Sequence, residues 1–288
     1  DRGPGAKLNC GGHHTRFWTH DWNGILGRIE LQAFDALHLK KIDVYPQIDQ
    51  GTIEIKAVLG NLTGKETAGR LRVICQPLQE PVAKRTATEN FNIIFSGSAE
   101  QTIARQLPLK KPIDLWDEFK AHLYLLKVEL VDAEGKVRDR QKVRFGMREL
   151  GRKDFHFTIN GRPAFMRGTL ECNIFPLTGF APMDEASWRR IIAVAQNYGL
   201  NMIRFHSWTP PDVAFRVADE MGFYFQTEVP GTSCPSEIES PEVEAYLFEE
   251  LKRLVHTYGN HPSMLFVSMG NEQLVTYPDS EFFAKHKA

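Results

Sequence analysis

The sequence lacks several features that would each point to a particular class of protein. Its 35 basic and 36 acidic residues leave a formal net charge of −1, so no excess of one sign favours binding to nucleic acid or to an anionic membrane. No apolar run reaches the length that a bilayer-spanning helix needs, and no apolar signal-peptide core is present. Neither nucleic acid nor a membrane is therefore predicted as a partner.

Cysteine is also scarce, with four residues in 288 and no C-x-x-C pair: Cys10, Cys75, Cys172 and Cys234. This spacing argues against zinc and favours buried free thiols over a disulfide. The compartment is left open, with a periplasmic or extracellular location favoured. A cluster near the start is interpreted as a mixed surface and core segment rather than a metal site; it contains His13, His14, Trp18, His20 and Trp22. No metal or cofactor is predicted.

The sequence that is present divides into two parts near residue 150. Before that point, short alternating segments such as "TIEIKAVLG", "GRLRVICQP" and "HLYLLKVELVD" are separated by Gly, Pro, Asn or Asp about every ten residues. This pattern predicts an antiparallel sandwich of about seven strands over residues 38–147. The Cys…Trp…Cys arrangement of antibody domains is missing, so "Ig-like" describes the architecture only.

After residue 150, strands alternate with amphipathic helices. The first helix is predicted to begin at Asp184 and to end at Gly199, with Trp188, Ile191, Ile192, Ala195 and Tyr198 on its apolar face. Two more helices are predicted from Pro211 to Gly222 and from Pro241 to Gly259. Four strands are predicted around them, "FMRGTL", "NMIRF", "FYFQT" and Met264–Met269. This order requires a parallel sheet, either the first half of a (β/α)8 TIM barrel or a small open sheet.

Polar residues follow the predicted strands at the end where barrel enzymes carry their chemistry. The set is Arg167, Glu171 and Asn173 after the first strand, Arg204, His206 and Trp208 after the second, Glu228 after the third, and Asn271 with Glu272 after the fourth. Cleavage of a glycosidic bond needs a protonated carboxyl beside the leaving oxygen and a second carboxylate beneath the sugar ring. Burial keeps such a carboxyl protonated, an indole face suits a pyranose, and an amide can bind a ring hydroxyl.

Each of these residues also has a structural interpretation. The two arginines, Arg167 and Arg204, can simply neutralise Glu171 and Glu228 inside the barrel. Glu272 can be a salt-bridge or capping partner, His206 a hydrogen-bonded structural residue and Trp208 a core residue. The convergence of the set at successive strand ends favours a functional site.

The segment "YGNHPSMLFVSMGNE" resembles the fourth-strand signature of glycoside hydrolase family 2, which includes β-galactosidases, β-glucuronidases and β-mannosidases. Other segments resemble the family in the same order. "WNGILGRIEL" is similar to the end of its jelly-roll domain, and "DLWDEFKAHLYLLKVELVDAEGKVRDRQKVRFGMREL" to the end of its Ig-like domain. "FTINGRPAFMRG" looks like its first barrel strand, and "GLNMIRFHSWTPPDVAFRVADEMGFYFQTE" like the next two.

The resemblance implies three domains: the end of a jelly roll at 1–37, an Ig-like sandwich at 38–148 and the first half of a TIM barrel at 149–288. It implies that Glu272 is the general acid/base of a retaining mechanism, that Asn271 contacts the sugar 2-hydroxyl, and that Arg204 is the strand-2 arginine. Glu171, His206, Trp208 and Glu228 are the further candidate substrate-binding residues.

This sequence departs from the family pattern in three ways. "RFHSWTPP" is one residue longer than usual and its histidine comes one position earlier, while Glu171 and Cys172 stand where many members have histidines. The family nucleophile lies on strand 7, and no residue here matches it. We therefore expect a divergent subgroup and an internal fragment that is inactive alone, whose residues 150–288 would be unstable or associate by themselves.

The predicted function is that of a retaining β-glycosidase acting on a β-galactoside, β-glucuronide or related glycan, with carbohydrate as partner and a homo-oligomer as a further possibility. The alternative is a non-catalytic carbohydrate-binding or scaffold relative of the family. A third interpretation is an unrelated small α/β domain behind an Ig-like module, in which case the ordered motifs would be coincidental. Although some family members use Mg²⁺, nothing in the sequence supports metal dependence.

Overall fold

The computed structural model describes residues 27, 29–79, 85–229 and 241–271, without the side chains of 242–244. Most of the predicted jelly-roll segment, including the early histidines and tryptophans, lies outside these residues. So does the end of the chain from Glu272 onward. Among the described residues, no helix is both long enough and apolar enough to cross a membrane.

Over its described residues the first domain is an antiparallel sandwich of seven strands, which confirms the predicted Ig-like architecture. One sheet has the order β1-β2-β5 and the other β4-β3-β6-β7. The strands are β1 Leu37–Gln47, β2 Thr52–Asn61, β3 Thr67–Pro77, β4 Ala87–Phe95, β5 Glu100–Pro108, β6 Leu123–Asp132 and β7 Val137–Gly146. In β2 every second side chain is buried, from Ile53 to Leu59, because the period of two turns one set toward the facing sheet.

A small antiparallel sheet then connects the sandwich to the barrel. It consists of β8 Leu150–Lys153, β9 His156–Ile159 and β10 Arg162–Pro163. The β9–β10 turn is Asn160-Gly161, with both residues at positive φ, as a tight hairpin requires. The expectation that "FTINGRPAFMRG" is one barrel strand is therefore wrong, since the hairpin uses its first part and the parallel strand begins only at Gly168.

The second domain is a parallel sheet with the order β11-β12-β13-β14 and helices between its strands, as part of a TIM barrel requires. Its strands are β11 Gly168–Glu171, β12 Met202–Phe205, β13 Tyr224–Glu228 and β14 Met264–Ser268. Its helices are α1 Glu185–Asn197, α2 Asp212–Met221 and α3 Pro241–Tyr258. The predicted half barrel is thus confirmed over these elements.

The helix ends follow from local chemistry, with one correction. The Asp184 carboxylate caps α1 by accepting a hydrogen bond from Ser187 N at 2.8 Å, and Gly222 ends α2 in the left-handed conformation. Tyr198 was predicted on the apolar face of α1, but it is 81% exposed. It lies at the C-cap, where helical geometry has already ended, so the period of 3.6 no longer directs it inward.

The sandwich and the barrel share an apolar core at the amino end of the parallel strands, formed by Trp116, Leu123, Ile159, Tyr224 and Leu265. Polar contacts reinforce it. The Trp116 indole donates to the Asp219 carbonyl at 2.8 Å, and Arg148 Nη1 donates to the Pro262 carbonyl at 2.6 Å. Because the amino ends of the strands pack on the sandwich, their carboxyl ends face away from it.

Candidate active site

Three of the predicted site residues meet at the carboxyl ends of β12, β13 and β14. Arg204 Nε donates to Glu228 Oε1 at 2.7 Å, and Arg204 Nη2 donates to Asn271 Oδ1 at 2.7 Å. Arg204 lies on β12, Glu228 is the last residue of β13, and Asn271 follows β14 after three residues. The guanidinium thus links the last residue of β13 to the loop that follows β14.

Glu228 is a fully buried carboxylate, with 0% of its side chain exposed. Its Oε1 atom accepts from Arg204, and its Oε2 atom accepts from the backbone N–H of Ser207 at 2.7 Å. A buried charge of this kind is tolerable only because a cation and a hydrogen-bond donor compensate it. Both oxygens therefore already accept from donors of the protein itself, and the side chain exposes no surface to a substrate.

The contact with Arg204 fixes the orientation of the Asn271 amide. Arginine has donors only, so the amide atom that faces it must be the carbonyl oxygen, Oδ1. The Nδ2 group then points away from Arg204 as a donor. Asn271 is 6% exposed and is the last described residue before Glu272. This geometry supplies one directed N–H₂ donor on the residue that precedes the predicted acid/base in the sequence.

Glu171 is engaged with its own loop. Its two carboxylate oxygens accept from the backbone N–H groups of Asn173 at 2.9 Å and Ile174 at 3.1 Å. Burial raises the pKa of Glu171 above its ordinary value, although these hydrogen bonds oppose the rise. The carboxyl group therefore closes the turn after β11 instead of joining Arg204 and Asn271.

Trp208 and His206 follow β12 at the edge of the Arg204 cluster, where the Glu228 N–H donates to the Trp208 carbonyl at 3.3 Å. Trp208 is 4% exposed and meets the rings of Phe205 and Phe175 edge to face, at centroid distances of 5.1 and 6.1 Å. This packing fits the interpretation of Trp208 as a core residue, since its indole presents no open face. His206 is half-buried, and its backbone N–H donates to the Glu171 carbonyl at 2.9 Å.

The inclusion of Arg167 among the residues at this edge is wrong. It precedes β11 and therefore lies at the opposite, amino end of the sheet. There its Nε donates to the Gly199 carbonyl at 2.7 Å, and its Nη2 pairs with Glu118 Oε2 at 3.2 Å. The segment "FMRGTL" predicts a strand from Phe165, whereas the folded strand begins three residues later, at Gly168, so Arg167 precedes it.

Two residues near the cluster carry unusual features that the sequence did not signal. Ser207 has φ +59, a left-handed conformation that is costly for a residue with a Cβ, and its buried Oγ has no hydrogen-bond partner among the described residues. Asn173 also has a positive φ. Neither its buried Oδ1 nor its buried Nδ2 has a hydrogen-bond partner among the residues that the structure describes. Only the backbone geometry reveals these positions.

The described residues contain no group of three or more His, Cys, Asp or Glu side chains that could hold a metal ion. Cys172, beside the cluster, is half-buried, and its thiol pKa is raised by burial and by the charge of Glu171, while Arg204 acts in the opposite direction. Glu272 itself lies outside the described residues. What the structure defines is therefore a charge-paired arginine and an oriented amide on Asn271, the residue that precedes Glu272 in the sequence.

Comparison with known proteins identifies the family. A sequence model of glycosyl hydrolases family 2 matches residues 37–148, and the model of the TIM barrel domain of the same family matches residues 152–287. The chain belongs to glycosyl hydrolase family 2.

Curated relatives include two β-galactosidases. That of Leuconostoc mesenteroides subsp. mesenteroides is 27% identical over 255 residues, which is 85% of this chain and 24% of the relative. That of Oenococcus oeni is 26% identical over 264 residues, 87% of this chain and 25% of the relative. The chain therefore spans about a quarter of the length of these relatives.

Solved structures share the fold. A β-galacturonidase of the family from Eisenbergiella tayi, bound to galacturonate, superposes with a TM-score of 0.70 at 18% identity, covering 81% of this chain and 41% of that one. A β-glucuronidase from Bacteroides uniformis gives 0.69 at 18% identity, covering 88% and 30%. At this level of identity the likeness concerns the fold alone.

Proposed function

We propose that the protein carrying this chain is a retaining β-glycosidase that acts on a β-galactoside, β-glucuronide or related glycan. The observation that carries the proposal is the Arg204–Asn271 contact, which orients an amide donor directly before Glu272 at the carboxyl end of β14. Membership of a glycosidase family and β-galactosidase relatives support the reaction class. Carbohydrate is the corresponding substrate class.

In this proposal, Glu272 works first as an acid and then as a base. It gives a proton to the leaving glycosidic oxygen as the bond from that oxygen to the anomeric carbon breaks and a second carboxylate attacks the carbon from the opposite face. Glu272 then takes a proton from the water that displaces this carboxylate, so the anomeric configuration is retained. No residue of the chain is assigned to the attacking carboxylate.

The Asn271 amide assists by donating from Nδ2 to the sugar 2-hydroxyl, while Arg204 holds its Oδ1. Hydrogen bonds to this hydroxyl strengthen as the ring approaches the oxocarbenium-like transition state. They are effective only when the donor is already oriented, because orienting it during the reaction would cost the energy that the bond supplies. The bridge from Arg204 provides that orientation in advance.

The test is Glu272→Gln in the full-length protein, with Glu249→Gln as a control at an exposed carboxylate of α3. We expect the variant to lose about 10² to 10⁴-fold in turnover on alkyl glycosides, whose leaving groups need a proton. The loss should be much smaller on 2,4-dinitrophenyl glycosides, whose leaving group departs unprotonated. Equal losses on both substrates would contradict the acid role.

A different result would favour a non-catalytic relative that binds carbohydrate. In that case the wild-type protein would bind the free sugar in calorimetry, and it would turn over no aryl β-glycoside in a panel of galactosides, glucuronides, galacturonides and mannosides. The Glu272→Gln comparison would then have no activity to reduce.

A further inference from the structure

The geometry points to Glu228 as a positioning residue that acts on the sugar through Arg204 and Asn271 and does not touch the substrate itself. This inference rests on the proposed function and extends it to a residue whose role the sequence left open. It is carried by three hydrogen bonds. The buried Glu228 carboxylate accepts one from Arg204 and one from Ser207, and Arg204 donates the third to Asn271.

The first step is the fixing of the guanidinium. Glu228 Oε1 accepts from Arg204 Nε at 2.7 Å, and the Glu228 side chain is fully buried. A guanidinium is planar, so a contact at Nε sets the plane in which the two terminal nitrogens lie. Glu228 therefore determines where Arg204 Nη2 points, and it also neutralises the arginine charge inside the barrel.

The second step passes this orientation to the amide. Arg204 Nη2 donates to Asn271 Oδ1 at 2.7 Å, which leaves Nδ2 directed away from the guanidinium as a donor. If the guanidinium of Arg204 turned away, the Asn271 amide would lose the donor that fixes which of its atoms, Oδ1 or Nδ2, faces Arg204. The orientation of Asn271 thus depends on a carboxylate that lies on another strand.

The third step concerns the loop after β12. Glu228 Oε2 accepts from Ser207 N at 2.7 Å, and Ser207 has φ +59. A non-glycine residue stays in this region only when its surroundings hold it there. The same carboxylate therefore also holds the turn between His206 and Trp208, while Thr209 Oγ1 donates to the Glu228 carbonyl at 3.2 Å.

A second buried glutamate shows what a purely structural carboxylate looks like in this protein. Glu129 has 1% of its side chain exposed, and it pairs with Arg72, Lys127 and Arg140 on β3, β6 and β7. Those partners are 31–52% exposed and lie on the sandwich, away from the barrel. Glu129 therefore matches Glu228 in burial and in pairing with arginine, but it has no connection to the site.

The first experiment compares Glu228→Gln with Glu129→Gln in the full-length protein. Glutamine keeps the shape of glutamate, but its amide nitrogen cannot accept from Arg204 Nε or from Ser207 N, so one contact is lost in either orientation. The kcat/KM values are measured for 4-nitrophenyl β-glycosides with and without the 2-hydroxyl. We expect Glu228→Gln to lose about 10-fold or more on the parent sugar and far less on the 2-deoxy sugar.

This pattern is expected because the 2-deoxy sugar has no 2-hydroxyl for Asn271 to bind. Loss of the Asn271 orientation in Glu228→Gln should therefore lower kcat/KM for that sugar only slightly. Glu129→Gln should leave the ratio of the two kcat/KM values unchanged. An equal loss on both sugars in Glu228→Gln would overturn the inference, since a general structural defect or a direct role at the reacting atoms acts on both.

A second variant and a second measurement keep the inference testable in every case. If Glu228→Gln does not fold, Glu228→Asp keeps the charge that balances Arg204 but is too short to reach both partners, and the same fall in the ratio is expected. If the wild type turns over no glycoside, the proposed function fails, and a crystal structure of the folded variant decides the positioning role. Loss of the Arg204–Asn271 contact would support it, and retention at hydrogen-bond distance would overturn it.

Discussion

His261 makes a contribution to the folding free energy that depends on pH. The contacts of its imidazole determine how large this contribution is. The imidazole lies between α2 and β14, with Nδ1 at 2.6 Å from Asp219 Oδ2 and Nε2 at 3.7 Å from Asp212 Oδ1. The Asp219 carboxylate also accepts from Ser263 Oγ at 2.6 Å and from Ser263 N at 3.1 Å. Tyr258 is the neighbouring ring on the α3 side.

Burial works to lower the pKa of His261, but the charges of Asp219 and Asp212 and the hydrogen bond to Asp219 outweigh it and raise the pKa from 6.5 to about 9. The side chain is only 12% exposed, so solvent screens these interactions little. At about 1.4 kcal/mol for each pKa unit, the difference corresponds to about 3 kcal/mol of folding free energy.

The sign follows from the raised pKa. The folded state holds the proton more tightly than the unfolded chain, so this stabilisation is complete below about pH 6.5 and is lost as the pH rises through about 9. The assay is urea unfolding of wild type and His261→Gln at pH values from 6 to 10. We expect the gap in unfolding free energy between them to narrow by about 3 kcal/mol from pH 6 to pH 9.

His256→Gln is the matched control, because His256 is exposed on α3, the helix that ends just before His261. It should follow the wild-type pH dependence over the same range. A constant gap between wild type and His261→Gln at all pH values would refute the reasoning, since it would mean that the proton on His261 is not held by Asp219 and Asp212.

Three further outcomes are expected. Gly146→Ala should destabilise the protein by about 2 kcal/mol or more in urea unfolding, because a Cβ would lie 2.6 Å from Trp116 Cβ and 2.9 Å from Pro262 Cβ; unchanged stability would contradict this close packing between the domains. Asn260→Ala should lower the unfolding free energy by about 1–3 kcal/mol, because it removes a hydrogen bond to the Ile42 carbonyl at 2.8 Å and one from Val44 N at 2.9 Å. A decrease of less than about 0.5 kcal/mol would show that water replaces both hydrogen bonds. Iodoacetamide at pH 8 with peptide mass mapping should modify Cys172 well before Cys75, because Cys75 is buried and burial raises its pKa to about 12; equal rates would contradict its burial.

The elements that were predicted correctly are those in which the local pattern and the tertiary environment agree. The period of two in β2 and β3 and the capped period of 3.6 in α1 identify faces that the folded protein buries. The β8–β10 sheet was missed, because strands of two to four residues are too short for a period to show. Its one local signal was the Asn160-Gly161 turn.

Among the candidate site residues that the structure describes, the sequence placed all but Arg167 correctly at the carboxyl end of the sheet, since the order of strands and helices in a parallel sheet brings these ends to one edge. It could not determine which of them touch. Only the tertiary structure showed that Arg204 bridges Glu228 and Asn271, that Glu171 closes its own loop, and that Trp208 packs in the core.

The physical reason is the difference in range between the two kinds of information. Periodicity, caps and turns are read over a few neighbouring residues and fix the faces and ends of each element. The Arg204–Asn271 contact joins residues 67 positions apart, and the Asn260 contact with Ile42 joins residues 218 apart. Such pairs are set by how whole elements pack, so the sequence by itself determined the elements and their edge, and the tertiary structure decided the partners at that edge.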